Sequence, residues 1–299
     1  MNLPAVSRGS QADLNGLPGH RRAARPLTRL GVVGWPVAHS RSPMIQNAAL
    51  RQAGLQQRWR YQLLPVPPAL FEETVTALPT AGFTGVNVTV PHKPAALALA
   101  AASGGAVSAR AAAIGAANTL LFRDGGRIDA DNTDAPGLTA ALSGKLELHG
   151  ARAVVLGAGG SARAAVWALT DAGAAEVKVW NRTAARAAEL CRELGATPVT
   201  EIPAADLLVN CTTVGLLATD ELTQLPLPAS GPAAYRAVAD LVYREGGAVL
   251  TRAARAAGVA VADGLEVLVA QGEAAFELFT GQPAPQASMR AAAGLSSAM

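Results

Sequence analysis

From residue 30 onward, short apolar runs rich in β-branched residues alternate with longer alanine-rich stretches. Leu30–Gly34, Tyr61–Pro65, Gly85–Val90 and Asn118–Arg123 read as strands, each bounded by Gly, Pro or polar residues. Pro43–Ala53, Pro68–Leu78 and Pro94–Ala112 read as helices, and each opens on a proline that the first helical turn tolerates. This alternation predicts a parallel sheet with helices packed on its faces. Asp134–Leu142 reads as a helix leaving this unit, and the polar Ser143–Gly150 as a hinge. A second series follows. Its strands are predicted at Arg152–Leu156, Glu176–Trp180, Leu207–Cys211, Ala237–Val242 and Val259–Ala262, its helices at Ser161–Ala172, Ala184–Leu194 and Ala248–Ala257. Residues 264–280 form a long helical stretch with no strand after it, free to return and pack on the first unit.

The first strand of the second series runs into Gly157-Ala158-Gly159-Gly160-Ser161-Ala162, where a helix begins. Dinucleotide-binding turns need Gly at the first and third positions of such a loop and Gly or Ala at the sixth. Gly157 permits the turn, Gly159 lets backbone N–H groups approach a pyrophosphate, and Ala162 keeps the helix close to its strand. The helix N-terminus adds partial positive charge. The next strand is followed by Asn181-Arg182-Thr183, with Arg186 one turn further on. An NAD-selective site carries Asp or Glu near this place; a guanidinium there pairs with a 2′-phosphate instead and favours NADP(H). An arginine capping a strand end at the surface is the alternative. The fold class is therefore α/β with two domains. One is an N-terminal α/β substrate domain with a mainly parallel sheet, residues 30–133 plus 264–299. The other is a Rossmann-like NADP-binding domain, 134–263.

Length agrees, since 299 residues suit two domains, each able to bury a core. Half the chain is apolar, which excludes a disordered protein. Arg8, Arg21, Arg22, Arg25 and Arg29 against Asp13 alone make residues 1–29 the basic part, read as a disordered leader. The net charge is +3, so the remainder is close to neutral and argues against nucleic acid. Apolar runs are too interrupted to span a membrane. Two cysteines, Cys191 and Cys211, read as reduced thiols in a cytoplasmic protein. His20, His39, His92 and His149 show no metal-ligand spacing.

Three polar stretches stand out in the first unit. Ser40 and Ser42 are two apart, so on extended chain both hydroxyls point to one side before a helix, a ready carboxylate site. Ser42 before Pro43 is equally an ordinary N-cap. Asn87 and Thr89 share one face of a strand that leads to Lys93, past the strand end where parallel sheets present ligands. Only three of the 25 basic residues are lysines, Lys93, Lys145 and Lys178. Lysine can release a proton at usable pH and arginine cannot. Asn118-Thr119 and Asp131-Asn132-Thr133-Asp134 complete the cluster, helix capping by Thr133 or Asp134 being the plainer alternative.

GVVGWPVAHSRSP, GVNVTVPHK, GAANTL, DNTDAPG, VLGAGGSARA, NRT, NCTTVG and ADGLEVLVAQ occur here in order, and over residues 30–282 the chain resembles the shikimate dehydrogenase family. The resemblance implies NADPH-dependent reversible reduction of 3-dehydroshikimate to shikimate in aromatic amino-acid biosynthesis, by a monomer or homodimer. It implies that Ser40 and Ser42 hold the substrate carboxylate. Thr89, Asn118, Thr133, Tyr243 and Gln271, with Asn87, would meet the rest of the substrate. Lys93 is then the general acid or charge stabiliser, paired with Asp134. Gly157 to Ala162, Asn181, Arg182, Thr183, Arg186, Thr212, Thr213, Val214 and Gly264 would hold NADP. Two departures, Leu216 and Arg244-Glu245-Gly246-Gly247-Ala248, lie near the nicotinamide end. A quinate/shikimate dehydrogenase using NAD(H) and a non-catalytic NADP- or metabolite-sensing relative are the rivals.

Overall fold

The protein is described here by a computed structural model covering residues 27–217 and 219–295. Residues 1–26 of the expected leader lie outside the described residues. The first unit contains β1 (Thr28–Gly34), α1 (Ser42–Gln52), β2 (Trp59–Pro65), α2 (Phe71–Ala77), β3 (Phe83–Val88), α3 (Lys93–Ala102), α4 (Ala109–Ile114), β4 (Thr119–Phe122) and β5 (Ile128–Asp131). Helix α5 (Asp134–Leu142) leads to β6 (Arg152–Leu156), α6 (Gly160–Asp171), β7 (Glu176–Trp180), α7 (Ala184–Leu194), β8 (Thr197–Pro198), β9 (Leu207–Asn210), β10 (Ala237–Asp240), α8 (Val249–Ala256) and β11 (Ala260–Ala262). Helices α9 (Gly264–Thr280) and α10 (Gln286–Ala293) close the described chain.

The first sheet runs β2-β1-β3-β4-β5 and the second β11-β10-β9-β6-β7-β8. The second sheet is parallel throughout. Its strands β6, β9 and β10 read as apolar runs because helices cover both faces, whereas β7 alternates as Glu-Val-Lys-Val-Trp. The first sheet departs from the expectation drawn from its β/α alternation. β1, β2 and β3 are parallel, but β4 runs antiparallel to β3 and pairs with β5, a strand the hydrophobic pattern did not predict. Asp124-Gly125-Gly126 supplies the reversal, with both glycines at positive φ, so no crossover helix is needed. β5 itself reads Ile-Asp-Ala-Asp, too short and polar to announce a strand.

Residues 94–112, expected as one helix, are two. Ser103-Gly104-Gly105 ends α3, and Gly105 lies against the Ile128 backbone where a Cβ has no room. The Ser108 hydroxyl then accepts from the Ala111 N–H and caps α4.

Helix α9 returns to the first sheet. Its Phe276 and Val269 pack with Ile45 and Leu50 of α1, Leu30 of β1 and Met289 of α10. At its start, Asp263 accepts from the Leu265 N–H and Glu266 reaches back to the Asp263 N–H, a capping box. Gly137 of α5 allows α9 to approach; a Cβ there would stand 2.7 Å from the Gln271 Cβ and 2.8 Å from its backbone N. Gly137→Ala is expected to lower stability by about 1–3 kcal/mol through overpacking. It should also displace Gln271, which thermal unfolding together with substrate KM would register as a joint loss.

Candidate active site

Lys93 opens α3 directly after the turn from β3, and its side chain is almost fully buried. Nζ donates to Asp134 Oδ2 at 2.6 Å and to Ser161 Oγ at 2.8 Å. The first contact joins it to the N-terminus of α5, the second to the glycine loop of the other sheet. Gly160 makes that approach possible, since a Cβ there would lie 2.8 Å from the Lys93 Cβ. His92, just before it, bonds the Val66 carbonyl at 2.8 Å and stacks on Phe71. Burial pushes the His92 pKa down and favours the neutral ring.

Asp134 is held from behind. Asn118 Nδ2 donates to its Oδ1 at 2.9 Å and to Thr133 Oγ1 at 2.9 Å. The Asn132 side chain, not Thr133, caps α5 by accepting from the Asp134 and Ala135 N–H groups. Ser42 is not an N-cap either. It occupies the first helical position of α1, where no side chain caps the helix, and Ser40 Oγ accepts from its N–H at 3.3 Å. The two hydroxyls lie 3.2 Å apart. Tyr243 lies beside Ser40 and Arg41, which oppose the rise that burial causes in its pKa.

These groups surround a cavity of about 130 Å³. Ser40, Ser42, Asn87, Thr89, Lys93, Asp134, Tyr243 and Gln271 line it, together with Ser161 and Gly264. Asn118 and Thr133 do not. Both are buried behind Asp134, with Gln271 Oε1 at 3.4 Å from each. Ser161, Thr89 and Tyr243 also line a second cavity of about 190 Å³ with Thr212 and Thr213. Its other walls include Trp35, Val90, Cys211 and Leu241, to which the sequence reading gave no role at a site.

The glycine turn fits a dinucleotide. Gly157 has φ +109°, a Cβ on it would press on the Cys211 carbonyl, and the space above Gly159 is open. No side chain caps α6, leaving its first N–H groups for an anion. Arg182 and Arg186 are exposed past β7, with no acid between 181 and 186. Asn181 Nδ2 donates to the Thr183 carbonyl and shapes that turn. Thr212 is occupied in building its own loop, with Oγ1 donating to Asn210 Oδ1 at 2.7 Å and accepting from the Val214 N–H. Gly264 starts α9 where a Cβ would strike the Val242 carbonyl.

Comparison with known proteins was decisive. A family model described as the shikimate dehydrogenase substrate binding domain matches residues 32–120. Models for shikimate / quinate 5-dehydrogenase and for the shikimate 5'-dehydrogenase C-terminal domain match 139–221 and 264–293. A curated shikimate dehydrogenase (NADP(+)) of Anaeromyxobacter dehalogenans is 45% identical over 87% of this chain and 93% of its own. The chain belongs to the shikimate dehydrogenase family. Among solved structures, the Thermus thermophilus shikimate 5-dehydrogenase in complex with NADP(H) and shikimate superposes with a TM-score of 0.78 at 40% identity, covering 90% of this chain and 99% of that one. The Aquifex aeolicus shikimate dehydrogenase gives 0.78 at 32%, covering 89% and 97%. The two-sheet architecture is thus that of this dehydrogenase family.

One buried group of this family member lay outside the sequence expectations. Asp240, at the end of β10, is fully buried; Asn210 Nδ2 and the Val242 N–H donate to its Oδ1, and Oδ2 has no partner. Burial pushes its pKa up to about 7. The folded state therefore keeps this proton up to about pH 7, whereas an unfolded aspartate releases it near pH 4. The associated stability is present below about pH 4 and drains away as pH rises to about 7. Asp240→Asn stays neutral throughout. Its melting temperature should gain on the wild type by a few degrees between about pH 5 and pH 8. Parallel melting curves over that window would contradict the assignment.

Proposed function

We propose that the chain is an NADP-dependent shikimate dehydrogenase that interconverts 3-dehydroshikimate and shikimate, with Lys93 and Asp134 as its catalytic pair. The observation that carries this reading is the buried Lys93–Asp134 contact on the wall of a cavity that Ser161 joins to the glycine turn. NADPH, when bound, supplies a hydride to the ketone carbon. The ketone oxygen then gains negative charge and needs a proton. Lys93 holds protons at Nζ on the cavity wall, where an ammonium in a water-poor site stabilises such an oxyanion far better than in water. Asp134 keeps that ammonium in place and has oxygen lone pairs to spare for a substrate hydroxyl.

The paired hydroxyls of Ser40 and Ser42, with Tyr243 beside them, suit a carboxylate at the other end of the cavity. Anchoring the acid there and a hydroxyl at Asp134 turns the ring in one way only, and rotation lost in advance lowers the barrier. Thr89, Asn87 and Gln271 fill the remaining wall. The turn from Gly157 to Ala162 takes the pyrophosphate, Arg182 with Arg186 the 2′-phosphate, and Thr212, Thr213, Val214 and Gly264 border the nicotinamide end. A cytoplasmic location and a monomer or homodimer accompany this reading.

The test is to follow NADP+ reduction with shikimate, and to repeat it with quinate and with NAD+. Lys93→Ala should lower turnover by roughly 10²–10⁴ while cofactor binding, read by fluorescence titration, is retained. Near-normal turnover would reject the lysine's role. Arg182→Ala should weaken NADPH by about tenfold or more and leave NADH nearly unchanged, because a charge-assisted phosphate contact is lost for one cofactor only. Equal losses for both cofactors would remove the 2′-phosphate argument.

A further inference from the structure

Asn87 lines the first cavity, yet its amide is fully engaged behind it, and two backbone groups determine how. The Thr133 N–H can only donate, and it donates to Asn118 Oδ1 at 2.7 Å. Thr119 Oγ1 lies 3.0 Å from that same oxygen, so it too donates. The Asn118 carbonyl can only accept, and Asn87 Nδ2 donates to it at 3.2 Å. Asn87 Nδ2 spends its other proton on Thr119 Oγ1 at 3.0 Å. Asn87 Oδ1 is therefore the end that meets Tyr61, whose hydroxyl donates to it at 2.8 Å.

Tyr61 stands on β2 and reaches past β1 to Asn87 on β3. It is 2% exposed, so solvent does not replace this bond. On its other side the Ser42 hydroxyl lies near enough to oppose the rise in the phenol's pKa that burial causes. Asn47 of α1 clamps the Tyr61 backbone, accepting from its N–H at 3.0 Å and donating to its carbonyl at 2.9 Å. The same amide donates to the Pro43 carbonyl at 2.7 Å, so the helix that carries Ser42 and the tyrosine form one piece.

We propose that Tyr61, which does not itself line the cavity, is a specificity-determining positioning residue. The Asn118 carbonyl and Thr119 keep both N–H bonds of Asn87 turned inward, and the Tyr61 hydroxyl fixes Oδ1 from the other side, leaving a lone pair of Oδ1 as the amide's only free capacity. Asn87 can then accept from a ligand hydroxyl but cannot donate to a ligand carbonyl. Through Asn47, which bonds both the Tyr61 backbone and the Pro43 carbonyl, that wall is tied to the helix carrying Ser42, so the two ends of the cavity share one hydrogen-bonded frame. This inference rests on the reading of the cavity as the shikimate site.

Tyr61→Phe keeps the ring in the core and removes the hydroxyl, leaving Asn87 Oδ1 without its donor and the side chain less firmly held. The KM for shikimate should rise about tenfold, as expected when a buried acceptor loses its partner. The kcat and the KM for NADP+ should stay near wild type, while the melting temperature falls by a few degrees as a buried hydrogen bond is lost. A second measurement needs no turnover. In heteronuclear N–H spectra of the free protein, the Asn87 side-chain amide should exchange slowly in the wild type, and should shift and exchange faster in Tyr61→Phe. Unmoved Asn87 resonances, or parallel losses of kcat and melting temperature with KM unchanged, would overturn the role. A wild type that failed to oxidise shikimate would instead count against the reading of the cavity, and the spectra would still decide for or against the tyrosine.

Discussion

An ammonium taken out of water must be paired, and much of this molecule is arranged around that demand at Lys93. Its partner Asp134 is itself largely buried and takes a further donor, Asn118. Asn118 in turn is oriented by the backbone N–H of Thr133. The second acceptor for Lys93, Ser161, belongs to the other sheet and reaches it only because Gly160 has no side chain. Removing any one partner leaves a buried charge or a buried polar atom alone, which costs far more than the pair contributes to stability. The chain therefore meets at one point from the end of β3, the start of α5 and the glycine turn.

Features that depend on local chemistry were legible in the amino-acid sequence. The turn Gly157 to Ala162 sits between an apolar run and an alanine-rich stretch, and steric need for glycine at two positions reads directly as a close backbone approach. The apolar runs of β6, β9 and β10 mark a sheet covered on both faces. Lys93 stood out because lysine is rare in this arginine-rich chain.

Features that depend on distant pairing were not legible. The polarity of β4 and the existence of β5 are decided by a hairpin whose strands have four residues each, too few for a periodic signal. The break between α3 and α4 follows from Gly105 lying against Ile128, a contact between residues 23 apart. Asn118 and Thr133 were recognised as polar and out of place in a scaffold, but residue type alone does not show that Asn118 bonds both Thr133 and Asp134. Tyr61 offered nothing: on an edge strand an aromatic residue is the commonest of core residues, and only the register that sets it beyond β1 brings its hydroxyl to Asn87.

The buried pair also bears on the rival reading of the chain as a protein that only senses NADP. Well-packed apolar residues usually replace a buried ion pair without loss of stability, and often with a gain. A binding module thus has no structural reason to keep an ammonium and a carboxylate desolvated on the wall of a cavity. A reductase has one. Negative charge appears on the substrate oxygen only as the hydride arrives, and a fixed cation nearby stabilises that moment without reorganising. Ser161, on the wall of the same cavity, takes the other hydrogen bond of Lys93 and helps to hold the ammonium there. Desolvation that would be a liability for a fold is, at this position, the condition for the chemistry.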